Sequence, residues 1–180
     1  RALAEAPLPA SAPDKWAILR DLTAARAAFG ISDRDLAVLS ALVSFHPHLQ
    51  LAEGDGTIVF PSNAALGERT HGMAESTLRR HLSALVRAGL VLRHDSPNGK
   101  RYAARGLDGG LAVAFGFDLR PLLVRAAEIA AAAEAARAAN LRLKRLREAV
   151  VLRLRDATEL IAFGEELGGN WDAPADRAPL

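Results

Sequence analysis

Residues 62–105 read SNAALGERTHGMAESTLRRHLSALVRAGLVLRHDSPNGKRYAAR. The order of signals in this stretch decides the fold. Ser62 is a side-chain N-cap for a short helix over 63–69. Thr70-His71-Gly72-Met73 is a tight connection. A longer helix follows from about Ala74 to Ala88, and Gly89 supplies its stop. Leu78, Leu82 and Leu85 stand at i, i+4 and i+7 and face a core. On the opposite face stand Ser76, Arg80, Ser83 and Arg87, with Arg79 on the flank. Leu90–Arg93 and Arg101–Arg105 then bracket DSPNGK (95–100), and Asn98-Gly99 between strand-like runs signals a hairpin.

Working outward, Asp14 caps a helix from Lys15 to about Ala28, with Trp16, Leu19, Leu22 and Ala27 on one face. Gly30 ends it. Ser32 and Asp35 open a second helix with a capping-box pattern. That helix carries Leu36, Leu39, Leu42 and Val43 and stops at Pro47. Thr57–Phe60 is a short β-prone run closed by Pro61. Helix, helix, strand, capped short helix, turn, helix and basic hairpin is the order of a winged helix-turn-helix. The expected fold class is mainly α with a small β-hairpin wing over 14–118.

Beyond a Gly-rich link, Phe115-Gly116-Phe117 is an apolar anchor. Asp118 can cap, and Pro121 suits a first helical turn. No Gly or Pro interrupts 122–163, so 119–163 is one long helix or a helical hairpin. Leu122, Ile129, Ala136, Leu143, Val150 and Ala157 recur every seven residues, with Leu119, Ala126, Ala133, Asn140, Arg147, Leu154 and Ile161 as companions. This suits helix-on-helix packing, including self-association. Residues 1–13 read as a flexible arm and 164–180 as a loose acidic tail.

The chain has 180 residues and 5% aromatics, which suits one Ala/Leu/Val-rich helical domain with an accessory element. The absence of cysteine excludes disulfides, thiol catalysis and cysteine-ligated metals, and fits a reducing cytoplasm. No apolar run reaches the ~18 residues of a membrane span. The first residue is Arg1 rather than Met, which points to a fragment.

The net charge of +2 hides its distribution. Residues 69–105 hold eight Lys/Arg against Glu75 and Asp95, net +6, while 1–68 are net −3. A basic block between acidic flanks is the footprint of a polyanion-binding surface. Arg79 and Arg80 suit guanine edges or phosphate. Ser76 and Thr77 sit in the first helical turn, where backbone N–H groups favour phosphate. Ser62 and Asn63 open the preceding helix and suit a backbone phosphate. Ser83 and Arg87 continue the outer face. Arg93, Asn98, Lys100 and Arg101 form a basic wing suited to a minor groove. The bland alternatives are that Ser62 and Ser76 only cap, and that Arg87 only complements the helix dipole.

His46-Pro47-His48 lacks a third ligand, so no metal and no cofactor is expected. His71, His81 and His94 read as packing or phosphate-contacting residues. Phosphate loops, nucleophile elbows and paired carboxylates are missing, and Asp33 and Asp35 read as first-turn helix acids. The chain does not read as an enzyme.

Several stretches together resemble the N-terminal region of the RepC-type replication initiators of repABC plasmids of alphaproteobacteria. They are Asp14-Lys15-Trp16, LAVLSALVSFHP (36–47), IVFPSN (58–63), STLRRHL (76–82), AGL (88–90), DSPNGKRYA (95–103), AFGFDLRPLLVRAAEIA (114–130) and RLRDATELI (153–161). The resemblance implies a plasmid replication initiator that binds double-stranded DNA at an AT-rich plasmid origin within its own coding sequence. It implies no nuclease or helicase activity, and recruitment of host machinery. Members have a further C-terminal domain, which this sequence lacks. The resemblance also supports DNA contact at Arg79, Arg80 and the SPNGKR wing.

Two other functional readings stay open from the residues alone. One is a winged-helix transcriptional regulator at a promoter palindrome. The other is a winged-helix protein-interaction module docking through the Ala-rich helix. The basic stretch Arg142–Arg155 fits either a longer DNA footprint or a solvated helix.

Overall fold

A computed structural model describes residues 12–52, 56–96, 101–105 and 111–168. It is mainly helical, with one small antiparallel sheet. The elements are α1 (Lys15–Ala25), α2 (Asp33–Ser44), β1 (Ile58–Val59), α3 (Asn63–Arg69) and α4 (Glu75–Arg87). They continue with β2 (Leu92–His94), β3 (Tyr102–Arg105), β4 (Leu111–Asp118), α5 (Arg120–Val124) and α6 (Ala126–Glu166). Two compact units divide the chain between Arg137 and Ala138.

The first unit is built on its caps. The Asp14 carboxylate accepts from Trp16 N at 2.7 Å and opens α1. Ser32 and Asp35 form the full capping box of α2. Helix α1 ends three residues earlier than its pattern suggests, and Ala25 rather than Ala27 is buried. Gly30 then takes a φ of 62°, which reverses the chain without a Cβ penalty.

Leu22, Leu39, Leu42, Leu78, Leu85, Phe117, Leu122 and Ile129 are all fully buried in one core. The expected inner rows of α2 and α4 are therefore inside. Two polar residues join them. The imidazole Nδ1 of His81 meets Asp35 Oδ1 at 2.7 Å, both side chains buried. Asp35 Oδ2 also accepts from Ser32 N and Oγ at 2.7 and 2.6 Å. Burial alone would raise the Asp35 carboxyl. The bonds from Ser32 and His81 outweigh it and hold the group below its ordinary value.

The strand pairing differs from the sequence expectation. Leu90–Arg93 and Arg101–Arg105 do not pair with each other around Asn98-Gly99. β2 and β3 both run antiparallel to β4, one after the other: His94 faces Gly116, and Tyr102 faces Phe115. β2 and β3 are thus two segments that pair with β4 in succession. Asn98 and Lys100 lie outside the described residues. The sequence-adjacent antiparallel pair is β3–β4. In the sequence, Asp108-Gly109-Gly110, residue types that favour turns, precedes the β-prone run Leu111-Ala112-Val113-Ala114-Phe115. The long apolar strand, with Phe117 fully buried, selects the partner over local turn propensity.

β1 pairs with the other edge of β4, Val59 opposite Phe117. The backbones approach so closely that a Cβ on Gly116 would overlap the Val59 carbonyl and lie 3.1 Å from Phe60 Cα. Asp118 then ties the sheet to α5. Its Oδ1 accepts from Thr57 Oγ1 at 2.5 Å and Arg120 N at 2.8 Å. Leu119, not Asp118, is the formal N-cap, and Pro121 occupies the first turn as expected.

Residues 119–166 form no helical hairpin. α5 gives way at Arg125 to the single helix α6. The seven-residue repeat divides in its burial. Leu119, Leu122, Ile129 and Ala133 are buried in the first unit. In the second unit, Leu143, Val150 and Ile161 are exposed, and the helix carries the i,i+4 pairs Lys144–Glu148 and Arg155–Glu159. Among the described residues, no helix is long and apolar enough to cross a membrane.

Two stability predictions follow from this packing. Gly116→Ala lowers stability by about 1–3 kcal/mol through overpacking against β1. Gly67→Ala, where a Cβ meets Met73 O at an ordinary 3.5 Å, raises it by about 0.5–1 kcal/mol through helix propensity. Urea denaturation of both variants checks the opposite signs.

The depressed Asp35 carboxyl contributes stability above its unfolded value of 3.8. That contribution disappears as pH falls through the lower folded value. Urea midpoints between pH 6 and 3 are therefore expected to fall more steeply for wild type than for Asp35→Asn.

Candidate nucleic-acid interface

Helices α3 and α4 are joined by a turn that two left-handed residues make possible. His71 has φ 57° and Gly72 φ 78°. Gly72 N donates to Gly67 O at 2.8 Å, and Thr70 Oγ1 to Leu66 O at 2.8 Å. Ser62 is the N-cap of α3, accepting from Ala65 N at 3.1 Å. α4 begins differently. Its N-cap is Ala74, with no side-chain bond, so Ser76 is not a cap.

Burial of Leu78, His81, Leu82 and Leu85 turns the other face outward. Ser76, Arg79, Arg80, Ser83 and Arg87 are exposed, and Thr77 is half-buried. Ser62 is exposed and Asn63 half-buried at the start of α3. A concavity of about 610 Å³ gathers Asn63, Arg79, Ser83, Arg87, Arg93 and Arg101 from separate parts of the chain. Four guanidinium groups around one hollow make a strongly cationic surface.

Those cations have different employments. Arg80 and Arg87 make no hydrogen bond or ion pair among the described residues, so both are free to meet an anion. Arg79 pairs with Glu75 one turn earlier, and the same Glu75 oxygen accepts from Asn63 Nδ2 at 2.7 Å. Arg93 pairs with Asp95 at 2.6 Å. Arg101 folds inward: it donates to Pro61 O at 2.8 Å and lies over the Phe117 ring at 4.5 Å. Burial, together with the Arg93 and Arg79 charges, pulls its pKa below the ordinary value. Arg101 thus braces the sheet against Pro61, the residue before the N-cap of α3, in contrast to its expected place on an exposed wing.

Sequence reasoning missed Arg125. Its guanidinium donates to Ala88 O at 2.8 Å and Gly89 O at 3.0 Å, pairs with Glu128, and covers the Phe29 ring at 4.9 Å. It places a positive charge on the carbonyl end of α4 and so fixes that end. The contact spans 36 residues, and no local pattern announces it.

The remaining histidines have structural surroundings. His94 Nε2 lies 3.4 Å from Asp118 Oδ2, and His46 is buried with Nδ1 3.1 Å from His48 O. Among the described residues, no group of His, Asp or Glu is arranged to hold a metal ion.

The family model described as the Replication protein C N-terminal domain matches residues 1–165. A Sinorhizobium fredii protein named "Putative replication protein C" is 51% identical over 166 residues, covering 91% of this chain and 41% of that protein. A Rhizobium rhizogenes protein of the same name is 47% identical over 162 residues, covering 89% and 40%. The chain therefore spans about two fifths of the length of these relatives. No solved structure matches it. With the match extending through α1 to α6, the chain belongs to the family of replication protein C N-terminal domains.

Proposed function

We propose that this chain is the DNA-binding part of a plasmid replication initiator and that its first unit is a winged helix-turn-helix. On this reading α4 enters the major groove of double-stranded DNA at an AT-rich plasmid origin. Arg79 and Arg80 read base edges, and Ser62, Asn63, Ser76, Thr77, Ser83 and Arg87 meet phosphate or flanking groups. The wing is the β3–β4 pair, and Asn98 and Lys100, which lie outside the described residues, add backbone contacts. The chain acts by binding and not as an enzyme.

One observation carries the proposal. The outward face of α4 and the adjoining concavity are cationic through residues of three separated segments, in a chain of the replication protein C family. A solvated charge run would have no reason to converge. Recruitment of host replication machinery belongs, on this reading, to the length of the relatives that this chain does not span.

The exposed apolar residues Leu143, Leu146, Val150, Leu154 and Ile161 favour a separate role for the second unit in protein association. Self-association of the DNA-bound protein is the simplest form of it.

The test is replacement of Arg79 and Arg80 together by Ala. Binding is measured on an AT-rich duplex from the protein's own coding region and on a shuffled duplex of equal length. Each good base contact is worth about 1–3 kcal/mol of discrimination. The variant is therefore expected to lose a preference of about tenfold or more while keeping salt-sensitive residual binding. A preference equal to wild type removes α4 as the reading helix.

A further inference from the structure

We propose that Glu75 is a specificity-determining residue that, with Arg79, reads one G·C base pair, and that its carboxylate opposes binding to sequences lacking it. The inference rests on the DNA-binding reading above and assigns a role to an acid which that reading leaves out.

Glu75 is out of place on a polyanion-binding face. It shares the 69–105 block with a single other acid, Asp95. It occupies the first turn of α4, its side chain 54% exposed. A phosphate nearby would be repelled by it. An acid needed only for the helix dipole has no requirement for further partners, yet this one has two. Its Oε1 accepts from Asn63 Nδ2 and from Arg79 Nη2. It thereby ties the start of α3 to the exposed face of α4.

Two physical consequences follow. A tethered arginine has already given up much of its rotamer freedom, so less is lost when it engages a base. Arg79 Nε and Nη1 and Glu75 Oε2 meanwhile have no partner among the described residues. A guanidinium donates to guanine O6 and N7, and a carboxylate accepts from cytosine N4. Donor and acceptor one helical turn apart therefore offer the complement of a single G·C pair. In an A·T pair of the same orientation the carboxylate faces thymine O4, an acceptor, and the guanidinium faces the adenine N6 donor, which penalises that pair.

The experiment selects duplexes from a pool of randomised 20-base-pair DNA at ~100 mM KCl, using wild type, Glu75→Gln and Glu75→Ala. Thermal melts establish that the variants are folded. Wild type is expected to select a motif containing a fixed G·C pair. Glu75→Ala is expected to lose discrimination at that pair by about tenfold, and to bind the unselected pool several-fold more tightly. Glu75→Gln, which keeps an acceptor but not the charge, falls between.

A Glu75→Ala motif identical to wild type, or a uniform loss of affinity on all duplexes, overturns the proposal while leaving the DNA-binding reading intact. Wild type selecting no motif overturns both. A purely structural role for Glu75 would not change which base is selected.

Discussion

The buried contact between the His81 imidazole and the Asp35 carboxylate sets the roll of α4, and the surface follows from that roll. Leucines alone pack tolerantly, because hydrophobic contact is not directional. A hydrogen bond of 2.7 Å between two buried polar groups admits far less rotation. Turning α4 by one residue, about 100°, would take His81 away from Asp35 Oδ1 and drive a neighbouring arginine inward. Losing one partner of a buried hydrogen bond costs about 1–3 kcal/mol. The same carboxylate closes the capping box of α2, so the start of one helix and the orientation of another share one acid.

From that orientation the electrostatics divide the arginines by task. Arg101 and Arg125 are spent on architecture, the first against Phe117 and Pro61 O, the second on the carbonyl end of α4. Their planar forks suit carbonyl and ring contacts that a lysine would not reproduce. Arg79 is held by Glu75, whereas Arg80 and Arg87 remain without a partner among the described residues. A surface with some cations tethered and others free can both grip a polyanion and remain selective about how it does so.

Much of this was legible in the sequence because it is local. The Asp14 and Ser62 caps, the Ser32–Asp35 box, and the Leu78, Leu82 and Leu85 row depend on spacings of three to seven residues. What was not legible is non-local. Asp35 and His81 are 46 residues apart, and Arg125 reaches Gly89 across 36. The sheet shows the limit most clearly: Asn98-Gly99 is a fair turn signal, but strand pairing was decided by Leu111–Asp118, whose apolar residues follow an unassuming Gly-rich link. The long helix α6 was legible as a helix. Where its seven-residue stripe becomes exposed was not, since periodicity marks a face but not what lies against it. Of the candidate site, the exposure of the outer face of α4 was legible from its spacing, while the contacts of the Arg101 guanidinium with an aromatic ring and a carbonyl were not, because Pro61 is 40 residues away.

The central claim is that this chain grips DNA and prefers one sequence. Fluorescence anisotropy of the wild-type chain tests it most directly, with an AT-rich duplex from its own coding region and a shuffled duplex, each titrated at ~50 and ~200 mM salt. Several phosphate contacts should cost orders of magnitude in affinity across that range. Binding to the native duplex is expected to be tighter at both salts, with steep salt dependence. Absence of binding to either duplex at the lower salt would contradict it.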